Sequence, residues 1–277
     1  MSAVALNWFD THVHWDAAEF DADRDAALER AHAAGVNYCL NPSVVVDGIA
    51  KVRALADLSA TKDNWPRIFS AYGIHPLYVG QSKPDDLHQL EQQICQQRPV
   101  AMGEIGLDAY AGAPDMTLQR ACFEDQLVLA ATHQLPVVLH VRHAVEDVIQ
   151  SLKRVLGLGQ KIPGGIAHAF NGSEVQASQL IRMGFLLGFG GSCTYAGSTR
   201  IRSLVSRLPL TSLVLETDAP DMAPMWLRGQ RNESSQLPRI AQSVAALRQI
   251  SLAELSAVTT ANASQLLDLQ ANGASAR

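Results

Sequence analysis

The sequence predicts a (β/α)8 barrel with an additional C-terminal helix, spanning residues 1–277 as a single domain. Three observations point there. Eight short apolar runs recur about every 30 residues, each followed by an amphipathic stretch, which is the repeat of a βα unit. Most of the runs are continuous in Val, Ile, Leu and aromatic residues, as parallel strands buried on both faces are. The first run ends on Asp10-Thr11-His12-Val13-His14, not on the Gly-rich phosphate loop that a doubly wound sheet usually carries there.

The elements follow in order. Strands are predicted at residues 4–9, 36–40, 67–72, 99–102, 137–140, 165–168, 185–188 and 213–216. Helical periodicity fills 23–34, 44–60, 84–97, 116–133, 145–156, 174–183 and 197–206, and two further helices at 237–249 and 252–269 end the chain. Gly35 follows the first helix where a left-handed C-terminal residue is favoured. Pro136 and Pro163 break the chain ahead of strands five and six. Ser251 with Glu254 has the S-x-x-E spacing of a capping box for the last helix.

Composition excludes several classes. Hydrophobic residues make up 47% and charged residues 18% of the chain, which fits an ordered globular protein. No run of about 18 uncharged apolar residues occurs, so no membrane span is expected. The start has no basic segment before an apolar one and does not read as a secretory signal. Cys39, Cys95, Cys122 and Cys193 are far apart with no C-x-x-C pair, as expected for buried free thiols in a reducing cytoplasm. The formal charge of −5 argues against a protein that coats nucleic acid by bulk charge. Polar helix faces point to a monomer. The nine histidines are the notable excess, because His is both a common metal ligand and a common acid or base.

In a (β/α)8 barrel the active site lies at the C-terminal strand ends. His12 and His14 end strand one two residues apart, so strand alternation places them on one side. Alone, H-x-H is more often a pair of surface histidines than a site. Asp10 shares their parity and adds a third polar group. Glu104 lies between Gly103 and Gly106 in an apolar segment, where a carboxylate is costly to bury without a cation. Strands five and six end on His140 and His168, and strand eight delivers Asp218. The set His12, His14, Glu104, His140, His168 and Asp218 mixes imidazole and carboxylate. That suits Zn, Mn, Fe, Ni or Co, and Mg less well. Six donors exceed the need of one four-coordinate catalytic ion. Two divalent ions about 3.5–4 Å apart would use them.

Seven motifs then fall in order. They are Asp10-Thr11-His12-Val13-His14; Gly73-Ile74-His75-Pro76; Gly103-Glu104-Ile105-Gly106-Leu107-Asp108; Leu135-Pro136-Val137-Val138-Leu139-His140-Val141-Arg142; His168-Ala169-Phe170-Asn171-Gly172-Ser173; Glu216-Thr217-Asp218-Ala219-Pro220; and Arg231-Asn232. On these the chain resembles the TatD family of metal-dependent hydrolases, over nearly its whole length. The resemblance implies a barrel, divalent-metal dependence and, as in some members, deoxyribonuclease activity that is often exonucleolytic. It implies His12, His14, Glu104, His140, His168 and Asp218 as ligands, with Glu104 as the bridge. Three positions depart from the family pattern. Asn171 stands where serine is common, Asp221-Met222 where an aromatic–Leu pair is usual, and Ser234 where proline is expected.

The expected chemistry is phosphodiester hydrolysis by a metal-activated water, with Asp218 orienting that water or taking its proton. Arg142, of the same parity as His140, is the expected phosphate-binding cation. Arg228 and Arg231 are candidates for flanking phosphates, and His75 for a phosphate oxygen or the leaving group. His143 is out of phase with Arg142 and is left out. The partner is then DNA or a small phosphoester, held locally by the ions and a few arginines. The same fold and ligand set also support hydrolysis of a small cyclic amide, lactone or ester. Many such enzymes carry a carbamylated lysine on strand four, where this chain has Glu104. A non-catalytic barrel is the third possibility, and the intact ligand set speaks against it.

Overall fold

The computed structural model describes residues 6–269. Eight strands alternate with helices in chain order: β1 (Trp8–Asp10), α1 (Arg24–Ala33), β2 (Val36–Pro42), α2 (Ile49–Ser59), β3 (Arg67–Tyr72), α3 (Asp86–Gln96), β4 (Ala101–Gly106), α4 (Met116–Thr132), β5 (Val137–His140), α5 (Val145–Gly157), β6 (Gly165–Ala167), α6 (Glu174–Arg182), β7 (Phe185–Phe189), α7 (Thr199–Arg207), β8 (Leu213–Leu215), α8 (Leu237–Arg248) and α9 (Leu252–Leu266). The strands pair in sequence order, β1 to β8, all parallel. Bonds beyond the strands join the two edges. Thr11 N–H donates to the Leu215 carbonyl (3.0 Å), Asp218 N–H to His12 (2.9 Å) and His14 N–H to Ala219 (2.8 Å). The sheet is therefore a nearly closed (β/α)8 barrel.

The interior and the outer layer are separate apolar clusters. Phe9, Leu40, Phe69, Ala71, Ala101, Val138, Ile166 and Val214 fill the barrel together with Ala263 and Leu267 at the end of α9. The additional helix thus closes the barrel from the N-terminal ends of its strands. Ser256 and Thr260 of α9 donate to the Asn7 carbonyl, and Asn262 donates to Leu210 and Leu213. With that end plugged, the strands' C-terminal ends remain for a cavity. The larger cluster packs the helices on the outside of the sheet. Each large interior side chain contributes about 1.5–3 kcal/mol by leaving water.

Most predicted boundaries shift by a few residues. The first strand is the short Trp8–Asp10; residues 4 and 5 of its predicted span lie outside the described residues. The correction that bears on the site is β4, predicted at 99–102 and found at Ala101–Gly106. Glu104 and two glycines look like a strand end by propensity. In the fold Gly103 runs so close to β5 that an added Cβ would meet Val138 Cβ at 2.6 Å. The strand therefore continues through the acid. Helix α2 begins at Ile49, after a short 3-10 turn at Val46–Gly48, rather than at residue 44. Gly35 has φ +87° as the helix-end reading requires. Ser251 accepts the Glu254 N–H (3.1 Å). A full capping box forms instead at Ser173 and Gln176, ahead of α6.

The cysteines are free, but Cys95 is exposed and Cys122 half-buried, so burial holds only for Cys39 and Cys193. Burial pushes the Cys193 thiol up to about 12 and Cys122 to about 11. Titration of the native protein with a thiol reagent is expected to show a single fast group, Cys95, with the other three reacting after denaturation.

Candidate metal centre

The loops after the strands enclose a cavity of about 910 Å³ whose walls include His14, His75, Glu104, His140, His168 and Asp218. Glu104 is its middle. It reaches in from β4, where the register with β5 slips between Met102 and Ile105, and is 2% exposed. Its two oxygens face two different groups of side chains. Oε2 lies 3.1 Å from His12 Nε2 and 3.5 Å from His14 Nε2. Asp218 Oδ1 is 3.6 Å from the same His12 nitrogen and 3.8 Å from that of His14. Oε1 lies 2.7 Å from His140 Nδ1, 2.9 Å from His168 Nε2 and 3.3 Å from His75 Nε2.

These contacts are not a set of ordinary hydrogen bonds. His12 Nε2 also lies 3.2 Å from His14 Nε2. One imidazole N–H cannot serve three neighbours, and two ring nitrogens facing each other share at most one proton. A cation between them satisfies every lone pair at once. The electrostatics agree. Burial works to raise the Glu104 carboxyl, but His75, His168 and His12 outweigh it and hold it well below the usual range. Burial pulls His14 and His168 down, yet Glu104 and the neighbouring acids carry them to about 9 and about 10. The pocket thus demands positive charge, and the donor set fits divalent ions of borderline softness.

The loop backbone is bent to present these groups. Asp218 has φ +57° and Ala169, after His168, +45°, the left-handed region that non-glycine residues rarely adopt outside constrained sites. Gly188 leaves room for the buried Glu216 carboxylate, which an added Cβ would meet at 2.0 Å. Glu216 in turn accepts the Ala169 N–H at 2.5 Å. Outside the ring of donors, Asp108 Oδ2 lies 2.9 Å from His140 Nε2. It sets that ring with Nδ1 inward, as carboxylates behind ligating histidines do.

All six residues expected as ligands converge, and His75 joins them. Asp10 does not. Its carboxylate is bound by Thr217 and Ser234, whereas His12 is buried against Glu104 and His14 lines the cavity. Arg142 lines the cavity, its guanidinium 3.8 Å over the Tyr110 ring and 3.9 Å from Asp108. His143, left out by its phase, lines it too, at φ +55°. Arg200 was not singled out in the sequence. It comes from the start of α7 and forks onto Asn171 Oδ1 at 3.1 and 2.8 Å, so one departure from the family motif seats a cavity arginine.

Arg228 and Arg231 are not among the cavity-lining residues. Arg228 is exposed. Arg231 is bound to both Asp23 oxygens (2.5 and 2.9 Å), donates to the Glu19 carbonyl and covers the Phe20 ring. It holds the loop after β1 rather than a phosphate. Arg231→Ala is therefore expected to cost about 1–2 kcal/mol of stability by thermal or urea melting, while KM for the hydrolysed substrate stays at the wild-type value.

Comparison with known proteins decides the family. A family model described as TatD related DNase matches residues 9–268. The chain belongs to the TatD family. Among its TatD-family relatives, the metal-dependent hydrolase YjjV of Escherichia coli strain K12 is 36% identical over 249 residues, covering 88% of this chain and 92% of YjjV. The protein named 3'-5' ssDNA/RNA exonuclease TatD of Erwinia tasmaniensis is 32% identical over 266 residues, 94% of this chain and 100% of the relative. The crystal structure of YjjV superposes with a TM-score of 0.86 at 34% identity, covering 94% of this chain and 98% of that one. As a TatD-family protein the chain is a metal-dependent hydrolase, and the clustered donors are where divalent metal fits. No described helix is long and apolar enough to cross a membrane.

Proposed function

We propose that this TatD-family hydrolase is a deoxyribonuclease that cleaves phosphodiester bonds from a DNA end with two divalent ions. Glu104, His12, His14 and Asp218 would hold one ion, and Glu104, His140 and His168 the other. The observation that carries this reading is the division of one buried carboxylate between two sets of donors. Ions bound there supply Lewis acidity and bring the pKa of water toward neutral.

The chain's own residues do the rest. Asp218, 14% exposed in the cavity wall, orients the attacking water and takes its proton. Arg142 donates its planar fork to phosphoryl oxygens as charge builds. It is held over Tyr110 with half its surface open, so the fork is placed but not consumed. His75 Nε2 lies beside Glu104 and His140 and is placed to donate to the departing oxygen. Arg200, held only by the neutral Asn171 among its recorded bonds, adds a second cation to the wall. Two arginines on one cavity favour a phosphodiester over a neutral lactone or amide.

The test is a panel of single-stranded DNA, double-stranded DNA, a lactone and an amide with Mn, Mg, Zn and Co in turn. Nucleotides released from DNA, abolished by EDTA and restored by metal, are expected. Turnover of lactone or amide with none of DNA would overturn the nuclease reading and leave the metal-dependent hydrolase intact.

A further inference from the structure

We infer that Asp10 is a positioning residue for one half of the metal centre: gripped by Thr217 and Ser234, its carboxylate fixes the β1–β8 seam and so places His12, His14 and Asp218, while the other half is held independently. The inference rests on the two-ion reading above.

Asp10 is fully buried. Among the described residues no cation lies within ion-pair reach of it. Its recorded hydrogen-bond partners are all donors. Oδ1 accepts the Thr217 N–H at 2.9 Å and, at 3.5 Å, the His12 N–H. Oδ2 accepts the hydroxyls of Thr217 and Ser234, both at 2.6 Å. A buried carboxylate so fully provided with donors is expensive to disturb. Ser234 is the residue at the position where the family pattern has proline, and its hydroxyl is one of these donors.

The carboxylate sits where two distant segments must stay in register. His12 and His14 follow β1, and Asp218 follows β8. They are joined by the Asp218-to-His12 and His14-to-Ala219 backbone bonds rather than by a continued ladder. Thr217, which Asp10 holds from both its N–H and its hydroxyl, directly precedes Asp218. Asn232 clamps the same loop from the other side, donating to the Thr217 and Asp221 carbonyls. Every donor on the Oε2 side of Glu104 therefore hangs from the seam that Asp10 ties.

The Oε1 side has a different support. His140 and His168 end β5 and β6, and His140 leans on Asp108. Asp108 is fixed to Gln119 through both its backbone N–H and its carbonyl. This group is linked toward the seam through Glu216, which accepts the Ala169 N–H and precedes Thr217; no recorded bond of His140, His168 or Asp108 reaches Asp10 itself. Each half of the centre thus has its own buried outer carboxylate.

Equilibrium dialysis against Mn2+, with ions counted by elemental analysis and Mn2+ electron paramagnetic resonance, tests this. Wild type is expected to hold two ions. Asp10→Ala should keep one at wild-type affinity and bind the other about 10–100-fold more weakly, the range typical for removing an outer-shell partner. Asp10→Asn, whose oxygen can still accept the Thr217 N–H while its NH2 donates to the hydroxyls turned to accept, should restore most of the loss. Asp10→Ala with His140→Ala should hold neither ion tightly, whereas Asp10→Ala with His14→Ala should still hold one. If circular dichroism shows Asp10→Ala unfolded, Ser234→Ala carries the test, with a smaller loss confined to one ion. Loss of both ions in parallel, or retention of both at full affinity in a folded Asp10→Ala, would overturn the inference. A wild type that binds one ion only would instead overturn the two-ion reading.

Discussion

Glu104→Ala is expected to lower the rate of hydrolysis by at least about 10³-fold, a loss of about 4 kcal/mol of transition-state stabilisation, and to leave the protein unable to hold two ions. The size follows from position. A residue behind a ligand costs about 10–100-fold when removed, and Glu104 stands in front of both groups of donors. Its oxygens are the nearest acid to His12, His140 and His168. Removing it strips both half-sites of a charge and removes what keeps two cations together against their mutual repulsion. Glu104→Gln separates charge from packing. It fills the same space and should be nearly as inactive, because an amide bridges two cations poorly. Kinetics on single-stranded DNA with saturating metal, alongside ion counting, reads both effects. A Glu104→Gln enzyme with wild-type rate and two bound ions would show that the carboxylate is not the bridge.

Chelation should produce the second large effect, on stability. Ions that bind only the folded chain stabilise it by mass action, about 2.7 kcal/mol per site at a hundred times the dissociation constant. Two such sites give about 5 kcal/mol, and for a chain of this size the melting temperature is expected to fall by about 10 °C or more on removing them. Proton uptake offsets part of this: His14 and His168, carried to about 9 and about 10 by the acids around them, bind protons more tightly in the folded chain than in the unfolded one, and so stabilise the metal-free protein at neutral pH. Differential scanning calorimetry before and after EDTA, with metal restored, measures the shift. An unchanged melting temperature would mean that the cluster holds no ion under those conditions.

Much of this centre was legible in the sequence because parallel barrel strands are short, apolar and closed by their ligands. The run ending at His140 was placed at both ends, and β3 likewise. A histidine that closes an apolar strand is visible without knowing where the strand goes. What was hidden depends on contacts between distant segments. The extent of β4 is set by how closely Gly103 approaches Val138, which no local pattern displays. Asp10 was grouped with His12 and His14 by alternation, but alternation lapses once a three-residue strand ends. Its true partners, Thr217 and Ser234, are more than two hundred residues away. Arg231 looked available for phosphate because its acid, Asp23, lies at the far end of the chain. Arg200 carried no motif, and only the fold brings it to Asn171.

The most direct test of the account is a titration of metal-stripped protein with Mn2+, following nucleotide release from single-stranded DNA. The account predicts no release without metal and a rate that rises to its plateau as the second equivalent binds. Release at the full rate in the stripped protein, with EDTA present throughout, would contradict it.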